Sequence, residues 1–211
     1  WVFIGTGQYL DEDDPGDLQV QSWYGLKDST TAISGRTDLV ERKIVAEGTI
    51  GSLGARVIDS GAVRDLTTKK GWYIDLRSPV RGVEGERMVV PNRVQGVALI
   101  GTTRIPDASD QCRPSGRGFV MAIDPFTGAR LSKTFFDISL DGKFTSADTL
   151  VVNGKEMVVS GVGFESSPSN PLFIESAMQV GMDDGTTKTI GTQGSSVAAQ
   201  RMNWREILNP N

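Results

Sequence analysis

Four aspartates sit close together in Asp11-Glu12-Asp13-Asp14-Pro15-Gly16-Asp17, and carboxylate oxygens at that density can gather around a hard cation such as calcium. Asp11, Asp13, Asp14 and Asp17 are therefore the candidate metal ligands of this chain. The spacing is not that of an EF-hand: counting from Asp11, the third ligand position falls on Pro15 and the last on Ser22. A solvated surface loop with a Pro-Gly turn is the plainer reading.

Other chemistry is narrowed by what the chain lacks. It holds 211 residues and no histidine, which removes the usual general base, the usual metal ligand and any histidine-dependent triad. Cys112 is the one cysteine, so no disulfide can form within the chain. Gly5-Thr6-Gly7 begins like a dinucleotide fingerprint, but the third glycine and a following helix pattern are both missing. Asp124-Pro125-Phe126-Thr127-Gly128 is turn chemistry, with Asp124 expected to cap the turn through its side chain. Asp28 and Asp183 are expected to do the same.

Two loops are candidates for partner binding, because polar loops held by a rigid scaffold are common docking elements. The first runs from Arg104 to Arg117 and offers Asp107, Asp110 and Arg113. The second runs from Phe164 to Pro171 and offers Glu165 and Asn170. Trp1, Trp23 and Trp72 lie in strand contexts, where core packing is the default for an indole.

The elements that must position these residues are strands. Val2-Phe3-Ile4-Gly5 is followed by Ser22-Trp23-Tyr24-Gly25-Leu26-Lys27-Asp28. Ala98-Leu99-Ile100-Gly101 is followed by Phe119-Val120-Met121-Ala122-Ile123-Asp124. A weaker copy joins Met157-Val158-Val159-Ser160-Gly161 to Ala177-Met178-Gln179-Val180-Gly181-Met182-Asp183. Glycine to aspartate spans 23, 23 and 22 residues. Repeats of β-rich units stack around an axis. The expected fold is all-β, as about three β-propeller blades, with modules 1-68, 69-136 and 137-211. Leu39 to Glu47 reads as strand, although Arg42 interrupts its apolar face, and Asn153-Gly154 marks a hairpin. The 25 glycines fit a turn-rich β domain.

Twenty-two basic and 26 acidic residues are well mixed and give a net charge of −4, which argues against nucleic acid as a partner. No apolar run reaches the ~20 residues needed to cross a bilayer. The opening Trp1-Val2-Phe3-Ile4 already reads as strand, so a piece of a longer protein is expected.

Several blocks resemble the C-terminal domain of the PilC/PilY proteins of type IV pili. They are Val2 to Leu10, Asp17 to Asp28, Gly71-Trp72-Tyr73-Ile74-Asp75-Leu76 with Gly85-Glu86-Arg87, Met121 to Gly128, and Arg201-Met202-Asn203-Trp204-Arg205-Glu206-Ile207-Leu208. The resemblance implies the C-terminal portion of a larger propeller in a non-enzymatic pilus assembly factor. It also implies an adhesin at the pilus tip or outer-membrane surface that passes through the periplasm and opposes pilus retraction, and an association with twitching motility. Implied partners are minor pilins or the pilus tip, and a host-cell or surface receptor. Implied too is a calcium loop in the parent protein, expected outside this chain. Against this stand a quinoprotein-like propeller enzyme and a lectin-like or scaffold module.

Overall fold

The computed structural model describes residues 1–10, 13–107 and 115–193. Among the described residues sixteen strands form: β1 Val2–Gly5, β2 Ser22–Leu26, β3 Val40–Arg42, β4 Ile44–Ile50, β5 Leu53–Ile58, β6 Gly71–Asp75, β7 Arg93–Gln95, β8 Ala98–Asp107, β9 Ser115–Ile123, β10 Phe136–Asp137, β11 Thr149–Val152, β12 Lys155–Val158, β13 Gly161–Phe164, β14 Leu172–Ile174, β15 Ala177–Gly181 and β16 Thr187–Thr192. The only helical pieces among the described residues are short 3-10 turns.

Three larger sheets form, with orders β1-β2-β6-β3, β4-β5-β13-β9-β8-β7 and β10-β16-β15-β14, and β11 and β12 make a separate hairpin. The six-stranded sheet is the middle layer. Its continuous apolar strands follow from that position, because alternate side chains face two different cores. Ala98, Ile100, Val120 and Ala122 point to one core, shared with Phe136, Met178, Val180 and Ile190 of the β10-β16-β15-β14 sheet. Leu99, Phe119, Met121 and Ile123 point to the other, shared with Trp23, Trp72 and Ile74 of the β1-β2-β6-β3 sheet.

Trp23 and Trp72 are fully buried and meet edge to face, 5.7 Å between centroids. Trp72 donates its indole N–H to the Pro125 carbonyl at 3.0 Å. Glycine is required on two sides of it: a Cβ on Gly25 or on Gly128 would lie within 2.5 Å of the indole ring. Trp1 behaves differently, stacking on Phe3 and meeting Phe126 edge-on while remaining partly exposed.

Strand pairing links distant parts of the chain: β6 lies between β2 and β3, and β13 inserts between β5 and β9, across the expected boundaries of modules 1-68, 69-136 and 137-211. The third copy of the repeat is split between two sheets, with β13 in one and β15 in another. The spacing reflects strand length plus connection, which distant pairing does not have to respect.

Asp124 caps its turn as expected, accepting from the Phe126 and Thr127 amides at 2.9 and 2.8 Å. Asp183 does not. It faces Arg104 at 3.4 Å, and its neighbour Asp184 accepts from the Thr186 amide instead. Asp28 is exposed and accepts no such bond among the described residues. Asn153 and Gly154 form the β11–β12 turn, both with positive φ (51° and 75°), as a two-residue hairpin loop demands.

Arg42 does not spoil its strand. It turns inward, donating to the Thr127 carbonyl and to Asp65, both at 2.9 Å.

Candidate functional site

The described ends of the Arg104 to Arg117 loop are strand: β8 and β9 pair out to Asp107 opposite Ser115 and form a long two-stranded arm. Asp110, Cys112 and Arg113 lie outside the described residues, as do Asp11 and the ending that contains Trp204.

The arm brings two predicted partner-binding residues together. Asp107 and the exposed Glu165 line one cleft of about 410 Å³, with Glu84 and Arg117 on its walls. Arg117 is ion-paired to Glu84. Asn170 does not line this cleft; it is exposed just before the Pro171 carbonyl, which accepts from Arg93 at 3.0 Å.

Behind the cleft lies a charge cluster with no counterpart in the sequence reading. Arg56, fully buried, makes a two-point contact with Glu86 and also bonds Glu47 at 2.7–2.8 Å. Its guanidinium stacks over the Phe119 ring, 3.6 Å from the centroid. Burial alone would lower the Arg56 pKa, but Glu86 and Glu47 outweigh it and hold the group above its ordinary value, so it stays charged. Glu47 in turn accepts from the Ser78 hydroxyl at 2.7 Å. The only sequence signal was Glu84-Gly85-Glu86-Arg87, a charged run bordered by apolar residues.

The acidic loop is organised by a side chain that the sequence reading also missed. Arg87 is buried, and its guanidinium donates to the backbone carbonyls of Gln8, Asp14, Asp17 and Gly85 at 2.6–2.8 Å. Carbonyl oxygens thus converge on a cation, but the cation is part of the chain. The Asp14 carboxylate accepts from the Leu10 amide at 2.6 Å, and that of Asp17 from the Gln19 amide at 2.8 Å. Asp13 is exposed at the start of the 3-10 turn. Among the described residues no three acidic or thiol side chains converge as a metal site. No described helix is long and apolar enough to cross a membrane.

The all-β stack of open sheets, with charged clefts between a β-arm and its connecting loops, is a β-propeller-type architecture. The comparisons with known proteins narrow this class. No protein-family model matches the chain. A Type IV pilus biogenesis factor PilY1 homolog of Xylella fastidiosa is 48% identical over 211 residues, covering 100% of this chain and 17% of that protein. Type IV pilus biogenesis factor PilY1 of Pseudomonas aeruginosa is 27% identical over 180 residues, covering 76% of this chain and 15% of that protein. Among solved structures, the Pseudomonas aeruginosa PilY1 C-terminal domain superposes with a TM-score of 0.72 at 20% identity, covering 92% of this chain and 42% of that one. The chain belongs to the PilY1 family and corresponds to its C-terminal β-propeller domain. It spans about a sixth of the length of these curated relatives.

Proposed function

We propose that this chain serves type IV pilus biogenesis as a non-enzymatic docking domain of a larger assembly factor. The observation that carries the reading is the 48% identity to a pilus biogenesis factor, sustained over the whole chain. The cleft beside the β8–β9 arm suits recognition: charged side chains wall it, Glu84 and Arg117 held in an ion pair, on a scaffold with two buried cores. In this reading the domain acts at the pilus tip or outer-membrane surface after passing through the periplasm. It contacts minor pilins on one side and a host-cell or surface receptor on the other, and it opposes pilus retraction.

The test is deletion of this region from the parent gene, with surface pili counted in cells that have or lack the retraction motor. Pili lost in the first background and restored in the second support an assembly role that opposes retraction. Unchanged piliation in both rejects it.

A further inference from the structure

The connection after β6 contains a small closed turn. Ser78 and Gly82 exchange backbone hydrogen bonds of 2.9 and 3.0 Å and close the segment Arg77-Ser78-Pro79-Val80-Arg81-Gly82. The Ser78 hydroxyl oxygen accepts from the Val80 and Arg81 amides inside the turn, and the hydroxyl donates outward to Glu47. Because Glu47 is bonded to the buried Arg56, the turn is tied to the interior. What it presents to solvent is Val80, 70% exposed, between the exposed side chains of Arg77 and Arg81.

The turn forms one wall of a cleft of about 650 Å³, with Glu41 to Ile44 opposite. The other charges in this cleft are matched: Arg42 with Asp65, Lys43 with Glu41 and Asp75 with Arg36. Among the described residues, Arg77 and Arg81 have no ion-pair partner. Two unmatched guanidiniums thus stand on a pre-ordered turn in a protein of net charge −4. Pre-ordering reduces the entropy lost on binding, and guanidinium is the group best shaped to take a carboxylate at two points.

We propose that the 77–82 turn and its cleft are a docking site for a short acidic segment of a protein partner, with carboxylates meeting Arg77 and Arg81 and an apolar side chain covering Val80. A nucleic acid fits less well. Glu41 and Asp75 stand on the same walls and the whole chain is negative, so a polyphosphate with a charge on every nucleotide meets more repulsion than a peptide whose two or three carboxylates are matched by Arg77 and Arg81. A bare anion leaves Val80 uncovered. The inference rests on the local charge balance and is independent of the pilus assignment.

The test uses the intact chain and a fluorescein-labelled heptapeptide of alternating aspartate and valine, read by fluorescence polarisation at low and physiological salt. The Arg77→Ala/Arg81→Ala double variant is expected to weaken binding about tenfold or more, and added salt to weaken the wild type. Both side chains are exposed, so the thermal midpoint should not move. If it does, the Arg77→Glu/Arg81→Glu variant with a lysine-for-aspartate peptide gives a second reading, in which binding is regained. The proposal is overturned if the wild type does not bind the aspartate peptide, or if an asparagine-for-aspartate peptide binds equally. Equal binding by the double variant, or tighter binding of a single-stranded oligonucleotide, also overturns it.

Discussion

The Arg56 guanidinium and the Glu86 carboxylate meet at 2.5 and 2.8 Å with both side chains shut away from water. Removing one member of such a buried pair leaves an uncompensated charge, whereas replacing all its members with apolar groups can be close to neutral. Arg56→Met, which leaves Glu86 and Glu47 facing each other without their cation, is therefore expected to cost about 3–5 kcal/mol in urea unfolding. The triple variant Glu47→Gln/Arg56→Met/Glu86→Leu should recover much of that loss. An Arg56→Met protein as stable as wild type would mean that water reaches the Glu86 carboxylate.

Arg87 holds the acidic loop by its carbonyls, and this predicts a local phenotype. Arg87→Met strands four acceptors and should cost about 2–3 kcal/mol. Limited proteolysis should then cut first within 8–17. Arg87→Lys should rescue poorly, because one ammonium cannot reproduce the planar five-donor fork.

Two aspartates should leave opposite marks on stability against pH. The Ala62 amide and the Arg42 guanidinium hold Asp65 below the usual carboxylate range. Its contribution is complete above its unfolded pKa of about 4 and is lost as pH falls through the lower folded value. Burial pushes Asp59 up, and one of its oxygens has no hydrogen-bond partner. Its ionised form therefore weighs against the native state above the raised folded pKa, and this penalty vanishes below about pH 4. Thermal melts should show Asp65→Asn destabilised at pH 7 and converging with wild type in acid. Asp59→Asn should melt higher than wild type at pH 7, with the gain disappearing in acid.

The indole of Trp72 leaves no room for a methyl group at two neighbouring positions. Gly25→Ala and Gly128→Ala should each lower stability by about 1–3 kcal/mol, the usual cost of overpacking. Gly16→Ala, with open space around it, should have little effect in the same denaturation assay.

Much of the fold was legible because period-two alternation, glycine corners and Asn-Gly are local signals. The strands at 2–5, 22–26, 71–75 and 119–123, the Asp124 turn and the 153–154 hairpin all follow from them. Strand partnership was not legible, since nothing near Gly161 says that it will lie beside both Arg56 and Met121. The site was read in part. Asp107 and Glu165 stood out as polar loop residues, and the structure brings them to one cleft. The arginines that organise the clefts and the acidic loop did not stand out. A buried Arg56 or Arg87 is indistinguishable in sequence from a solvated one until its distant acceptors are known.

The placement of β13 between β5 and β9 has a consequence for the order of assembly. The two flanking strands precede it in the chain, so as the polypeptide emerges both exist before the strand that joins them. Until Gly161–Phe164 arrives, each flank presents an open ladder edge, and long-range closure of this kind is slow. A chain cut short before Gly161 would carry a strand-wide slot able to capture an extended segment from another molecule. The four residues of β13 thus close the slot that the earlier strands leave open.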